Sequence, residues 1–144
     1  MNQILESLKQ HGAFFAPATP SGQITILNMN LQKIRAATLP NEVIKFYQVY
    51  GGIKLGNGYV FGPNSYENGR GHPVPSILQI NEELTNLPAL RGKTVFGRND
   101  LFWFIFDTAG QYMMVDNLGL QTLRKYDDFY KAVYECLAGG KILK

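Results

Sequence analysis

The groups in this sequence suited to acid–base, nucleophilic or metal chemistry are two histidines, one cysteine and eleven acidic residues. A nucleophile needs a base beside it, and that base needs a third group to orient it. His11 follows a helical stretch, where an imidazolium interacts favourably with the helix dipole, so a structural role is expected of it. His72 precedes Pro73 in a loop and is the histidine with more scope for contact with a partner. Cys136 falls on an apolar helical stripe and reads as a core thiol. Metal binding wants several ligands of matching type at fixed spacing. Asp107, Asp116 and Asp127-Asp128 have no cysteine or histidine pair to support them and read as strand ends and a helix cap. Gly51-Gly52 and Gly56-Asn57-Gly58 are not followed by the lysine and hydroxyl residue of a phosphate loop. Trp103 and its aromatic neighbours could form a stacking platform for single-stranded nucleic acid. No basic residue interleaves them between Leu101 and Val115, so nucleic acid is an unlikely partner by expectation. No catalytic group, metal or cofactor is expected, and the chain reads as a binding protein rather than an enzyme.

The residue balance agrees. A chain of 144 residues is one domain by length, 1–144. Apolar residues make up 45%, enough for a substantial core, and the net charge of +3 is scattered rather than gathered in a stripe. No apolar run is long enough for a membrane span. The N-terminal residues lack the basic start and apolar block of a secretory signal, and the single cysteine suits a reducing compartment, so a cytoplasmic location is expected.

Those residues must be held by elements that the pattern outlines. Phe96 to Asp116 reads as two long apolar strands joined by a tight turn at Thr108-Ala109-Gly110. Phe102, Phe104 and Phe106 share one side, and Trp103 and Ile105 the other. Helices are expected over Asn2–Gln10, from Thr38-Leu39-Pro40 to Gly51, from Ser76 with a Gln79 capping box, and after Asp127 or Asp128. Thr38 is the expected cap of the second of these. Ile77, Ile80, Leu84 and Leu87 form the expected buried stripe of the third, and Phe129, Ala132, Val133, Cys136 and Leu137 that of the last. Ile53-Lys54-Leu55 and Tyr59-Val60-Phe61 flank a glycine–asparagine turn and predict a hairpin. Gln23–Leu27 fits both a strand, through Ile24 and Ile26, and a helical face, through Ile24, Leu27, Leu31 and Ile34. A short strand followed by a helix from about Leu31 is the expectation. Leu120–Leu123 is the expected last strand. Sequential strands with short turns suit an α+β fold, a single antiparallel β-sheet with helices packed mainly on one face.

The order of these pieces is similar to that of a known family. Leu39-Pro40, the aromatic helix Phe46-Tyr47…Tyr50 and the Gly51-Gly52 stop resemble the leucine-proline, aromatic-helix, asparagine-glycine signature of the SUKH superfamily. Those proteins are related to the yeast cell-wall-synthesis regulators of the Smi/Knr type. Tyr59-Val60-Phe61-Gly62 resembles the aromatic strand before a variable loop, and Val95-Phe96-Gly97-Arg98-Asn99-Asp100 the strand, glycine and polar turn. Phe104-Ile105-Phe106-Asp107 resembles the central strand, and Tyr126-Asp127-Asp128-Phe129 the capped closing helix. The resemblance runs from Leu39 to Leu137, and Gly51-Gly52 departs from the usual asparagine-glycine. It implies a non-catalytic protein binder. Many bacterial relatives are immunity proteins that occlude a toxin with a rigid cleft. The alternative is an intracellular regulatory or scaffolding module.

Loops carried by a rigid scaffold are where partners are usually met. The Asn64–Pro75 loop and the Arg98-Asn99-Asp100 turn are the polar, glycine-bearing connections beside the sheet. Tyr66, Glu67, Arg70, His72, Arg98, Asn99 and Asp100 are therefore the expected partner-binding residues. Tyr66 and Arg70 are the expected anchors, and Glu67 and Asp100 the source of local negative charge. Failing these, the open side of the sheet around Trp103 and Tyr112 is the expected face.

Overall fold

The computed structural model describes residues 3–66, 73–84, 87–116 and 121–138. Helix α1 spans Gln3–Gln10, strand β1 Phe14–Phe15, α2 Ser21–Lys33 and α3 Asn41–Tyr47. The hairpin β2 Ile53–Leu55 and β3 Gly58–Val60 follows, then α4 Ile77–Glu83 and a short 3₁₀ turn at Pro88–Leu90. Strands β4 Lys93–Arg98, β5 Phe102–Asp107, β6 Tyr112–Asp116 and β7 Thr122–Tyr126 lead to α5 Phe129–Ala138. The architecture is α+β: one seven-stranded sheet in the order β1 to β7, antiparallel throughout, with the helices packed against it.

The central strands follow from their alternation. Phe104 and Phe106 lie on one face and are fully buried. Helix α5 crosses that face, with the Phe129 ring 5.4 Å from Phe96 and 5.9 Å from Tyr112. Its close approach requires glycine. A Cβ at Gly97 would meet the Cys136 sulfur, and one at Gly58 the Cys136 carbonyl. Helix α3 adds Phe46, 5.3 Å from Phe129, and α1 packs on α5 through the side that buries Leu5 and Leu8. All five residues of the expected α5 stripe are buried. Asp128 rather than Asp127 caps that helix, accepting from the Lys131 N–H at 2.9 Å. Glu42 of α3 reaches across to accept from the Phe129 N–H at 3.2 Å.

The segment expected to hold a strand and then a helix is a single helix, α2. Pro20 precedes it, and the Pro20 carbonyl accepts from the Gln23 and Ile24 N–H groups. The helical period wins because it buries Ile24, Leu27 and Leu31 together, whereas the strand period would have used Ile26, which is 58% exposed. Thr38 caps nothing. Helix α3 begins after Pro40 with no side-chain cap. The Ser76–Gln79 capping box is formed as expected, with bonds of 2.8 and 3.1 Å. In α4, Ile77 is buried, Ile80 and Leu84 are half-buried and Leu87, beyond the helix, is exposed. The last strand lies further along the chain than Leu120–Leu123. Thr122, Leu123, Arg124 and Lys125 are all exposed, so pairing with β6 rather than burial makes this strand. Leu120 is outside the described residues.

Candidate functional site

The pairing register places one residue from each strand in a line across the sheet: Phe14, Lys54, Tyr59, Arg98, Trp103, Val115 and Thr122. Directly paired residues point to the same face. This row lies on the face opposite α5, because Trp103 alternates with Phe104 along β5. Aromatic rings and cations alternate through its first five places. The Lys54 ammonium stands 5.5 Å from the centre of the Tyr59 ring, and Tyr59 stacks beside Phe61 at 6.5 Å. Phe14 stacks on Tyr66 at 6.0 Å. Arg98 is exposed, and Tyr59 and Trp103 flanking it are half-buried.

Two recesses meet at Arg98. One, of about 210 Å³, is walled by Tyr59, Phe61, Val74, Pro75 and Ile80. The other, of about 80 Å³, is walled by Phe61, Ile80, Glu83, Leu84, Val95 and Trp103. Helix α4 forms the shared wall, and one side chain positions it. Asn81 is buried, donates to the Ile77 carbonyl at 2.7 Å and the Val95 carbonyl at 2.9 Å, and accepts from the Val95 N–H at 2.9 Å. Strand β3 has ended at Val60, so the Asn81 carboxamide takes the place of a strand beside Val95. Lys93 and Lys125 share this face by alternation from Val95 and by pairing with Met113, and Glu83 and Asp107 are its acidic neighbours.

Of the seven residues expected from sequence, Arg98 stands at the centre of this surface. Tyr66 is corrected: it is not an exposed anchor but 9% exposed, its hydroxyl donating to the Ile53 and Val60 carbonyls, each at 2.9 Å. It packs on Gly52, whose φ of +142° and lack of a Cβ make the contact possible. Burial pushes its hydroxyl pKa well above the ordinary tyrosine range, with nearby Cys136 and Tyr59 adding to the rise. Glu67, Arg70 and His72 lie outside the described residues. Asn99 is committed to the turn. Its side chain accepts from the Leu101 and Phe102 N–H groups and donates to the Cys136 carbonyl at 3.2 Å. Asp100 is exposed and accepts from Asn57 at 3.2 Å. With Leu101, Phe102 and Glu135 these two line a separate recess of about 130 Å³. Trp103 and Tyr112 do not share a side: Tyr112 pairs with Phe106, faces α5 and is 3% exposed.

The remaining chemical candidates are structural. Cys136 is buried, and burial pushes its thiol pKa up despite contacts with the Tyr59 and Arg98 carbonyls. The His11 ring is 2.8 Å from the Ser7 carbonyl one helical turn back. Asp107 accepts from the Ala109 and Gln111 N–H groups and closes the turn between β5 and β6, and Asp116 accepts from the Gln121 N–H. No group of three metal-ligating side chains occurs among the described residues.

Fold and surface together define an α+β domain built on one sequential antiparallel sheet, with α5 across one face and, on the other, an aromatic–cationic row beside α4 and the buried residues Val95, Ile105, Met113 and Val115. No protein-family model matches the chain, and no curated protein matches it.

Proposed function

We propose that this chain is a non-catalytic, cytoplasmic protein-binding domain of the SUKH type that neutralises a cognate bacterial toxin by occluding it, and that it works through the face bearing Arg98. The observation that carries this is the exposed Arg98 between Tyr59 and Trp103, above a recess walled by apolar side chains. Arginine and aromatic side chains dominate interface energetics when they surround a pocket. The sheet fixes their backbone, so the ordering cost on binding is confined to side chains, chiefly that of the exposed Arg98. Asp100, exposed beside the turn that Asn99 closes, belongs to the same proposal, as do Glu67, Arg70 and His72 as contacts expected from sequence outside the described residues. The ordering of family-like motifs from Leu39 to Leu137 supplies the toxin-neutralising part of it. No helix among the described residues is long and apolar enough to cross a membrane.

The test is protection. The chain is co-expressed in turn with the product of each adjoining gene that stops growth when expressed alone, and growth is compared for the parent, Arg98→Glu, Trp103→Ala and a Lys33→Ala control. The parent and the control are expected to protect, and the two surface variants, folded by circular dichroism, are expected to fail. A parent chain that gives no protection refutes the immunity role and leaves the regulatory module.

A further inference from the structure

We infer that the row from Phe14 to Trp103, its five accessible places before buried Val115, seats an extended acidic segment of the partner protein, with a carboxylate on Arg98 and an apolar side chain two residues away in the recess beside it. This rests on the protein-binding proposal and names the chemistry of the occupant. The row itself carries two cations, Lys54 and Arg98, and no acidic residue. Neighbouring strands stand about 4.8 Å apart, so the two cations, on β2 and β4, are separated by about 10 Å. Arg98 makes no ion pair among the described residues, which leaves its guanidinium fork open for a carboxylate. In an extended segment, side chains two residues apart lie on one side, about 7 Å from each other. That distance carries the second side chain from Arg98 into the recess of about 210 Å³ at Phe61 and Ile80.

A mixture of cations and aromatics on a sheet face also suits single-stranded nucleic acid, whose bases need successive free rings. Here the rings are mostly taken. Lys54 lies over Tyr59, Phe61 lies beside it, and Phe14 is stacked on Tyr66. Trp103 alone in the row has no ring partner among the described residues. The observations therefore favour carboxylates over bases.

Trp103 is the sequence's one tryptophan and lies at the site, so its fluorescence reports occupancy directly. A random heptapeptide library is selected on the full chain, and the enriched peptides and an oligothymidylate are titrated against Trp103 emission. Enrichment of Asp or Glu two residues from Leu, Ile or Phe is expected. Binding should weaken about tenfold or more in Arg98→Ala and fall with added salt, while Lys33→Ala binds as the parent does. Enriched peptides that are basic or neutral, binding indifferent to Arg98, no enrichment at all, or tighter binding of the oligothymidylate would each overturn the inference. If protection survives while acidic peptides fail, only the occupant is wrong. If acidic peptides bind while the parent chain gives no protection, the immunity role is wrong and the acid-binding groove stands.

Discussion

Replacing Asn81 with leucine should be among the most damaging single changes to the surface described above, although Asn81 itself is out of a partner's reach. Its carboxamide bonds both the N–H and the carbonyl of Val95, a residue 1% exposed at the point where the neighbouring strand has stopped. Leucine matches the size and removes both partners. Each buried backbone group left unpaired costs about 1–3 kcal/mol, and two cost about 2–6 kcal/mol. The apolar surface that leucine adds recovers about 1.5–3 kcal/mol of this, so a net loss of about 2 kcal/mol is expected. With a urea slope of about 2 kcal/mol/M for a small domain, the unfolding midpoint falls by about 1 M. Asn81→Asp should be no milder, because its second oxygen would face the Val95 carbonyl instead of donating to it. Amide exchange localises the effect: core amides such as that of Phe104, within β5, should lose protection by the global loss alone, and the Val95 N–H by more than that. A loss below about 1 kcal/mol, with Val95 still protected, would refute the claim that Asn81 substitutes for a strand.

Other outcomes follow from the same packing. Phe104→Ala should cost about 3–5 kcal/mol in chemical denaturation, since the ring is fully buried under α5. Gly62→Ala should cost more than about 3 kcal/mol or prevent folding, because its Cβ would fall on the Gly51 carbonyl, as measured by circular dichroism and thermal melting. Cys136 should resist a thiol reagent at neutral pH in the folded protein and react once denaturant is added, since burial raises its pKa and covers it. Alkali should destabilise the fold. Tyr47 and Tyr66 have pKa values raised above the ordinary 10.0, so their contribution is intact below pH 10 and is lost above it, where the unfolded chain ionises first. The slope should approach about 1.4 kcal/mol per pH unit for each of the two, and Tyr47→Phe should flatten the curve.

What the sequence made legible had one physical cause behind each element. The β5–β6 hairpin is marked by alternation and by Gly110 at φ +78°. The α4 start is marked by Ser76 and Gln79, whose side chains can satisfy two backbone groups between them. The α5 stripe has a single period. The α2 segment fits two periods at once, and only the docking of Leu27 and Leu31 under the rest of the chain decides between them. Strand β7 lies at Thr122–Tyr126 rather than Leu120–Leu123 because it is an exposed edge held by pairing with β6, and its residues, Leu123 included, carry no burial pattern that would mark its ends. Tyr66 was read as exposed from its proline- and glycine-rich surroundings, which say nothing of two carbonyls waiting at Ile53 and Val60. Half of the cross-sheet row was within reach. The Gly56-Asn57 turn fixes Lys54 opposite Tyr59. The pairing of Tyr59 with Arg98 depends on where a later strand docks, and no local pattern encodes that.

The packing of α1 on α5 has a consequence for how the molecule comes into being. Residues 3–10 leave the ribosome more than a hundred positions before residues 129–138, yet each needs the other to cover Leu5, Leu8 and the stripe around Val133. The strands from Lys93 onward pair with near neighbours and can zip up locally as they emerge. Helix α1 has to wait, its apolar side open to water or to whatever else is nearby, until α5 arrives. Closing that side of the core is therefore a late step, and a nascent chain stopped before α5 leaves Leu5, Leu8 and the α5-facing side of the sheet uncovered.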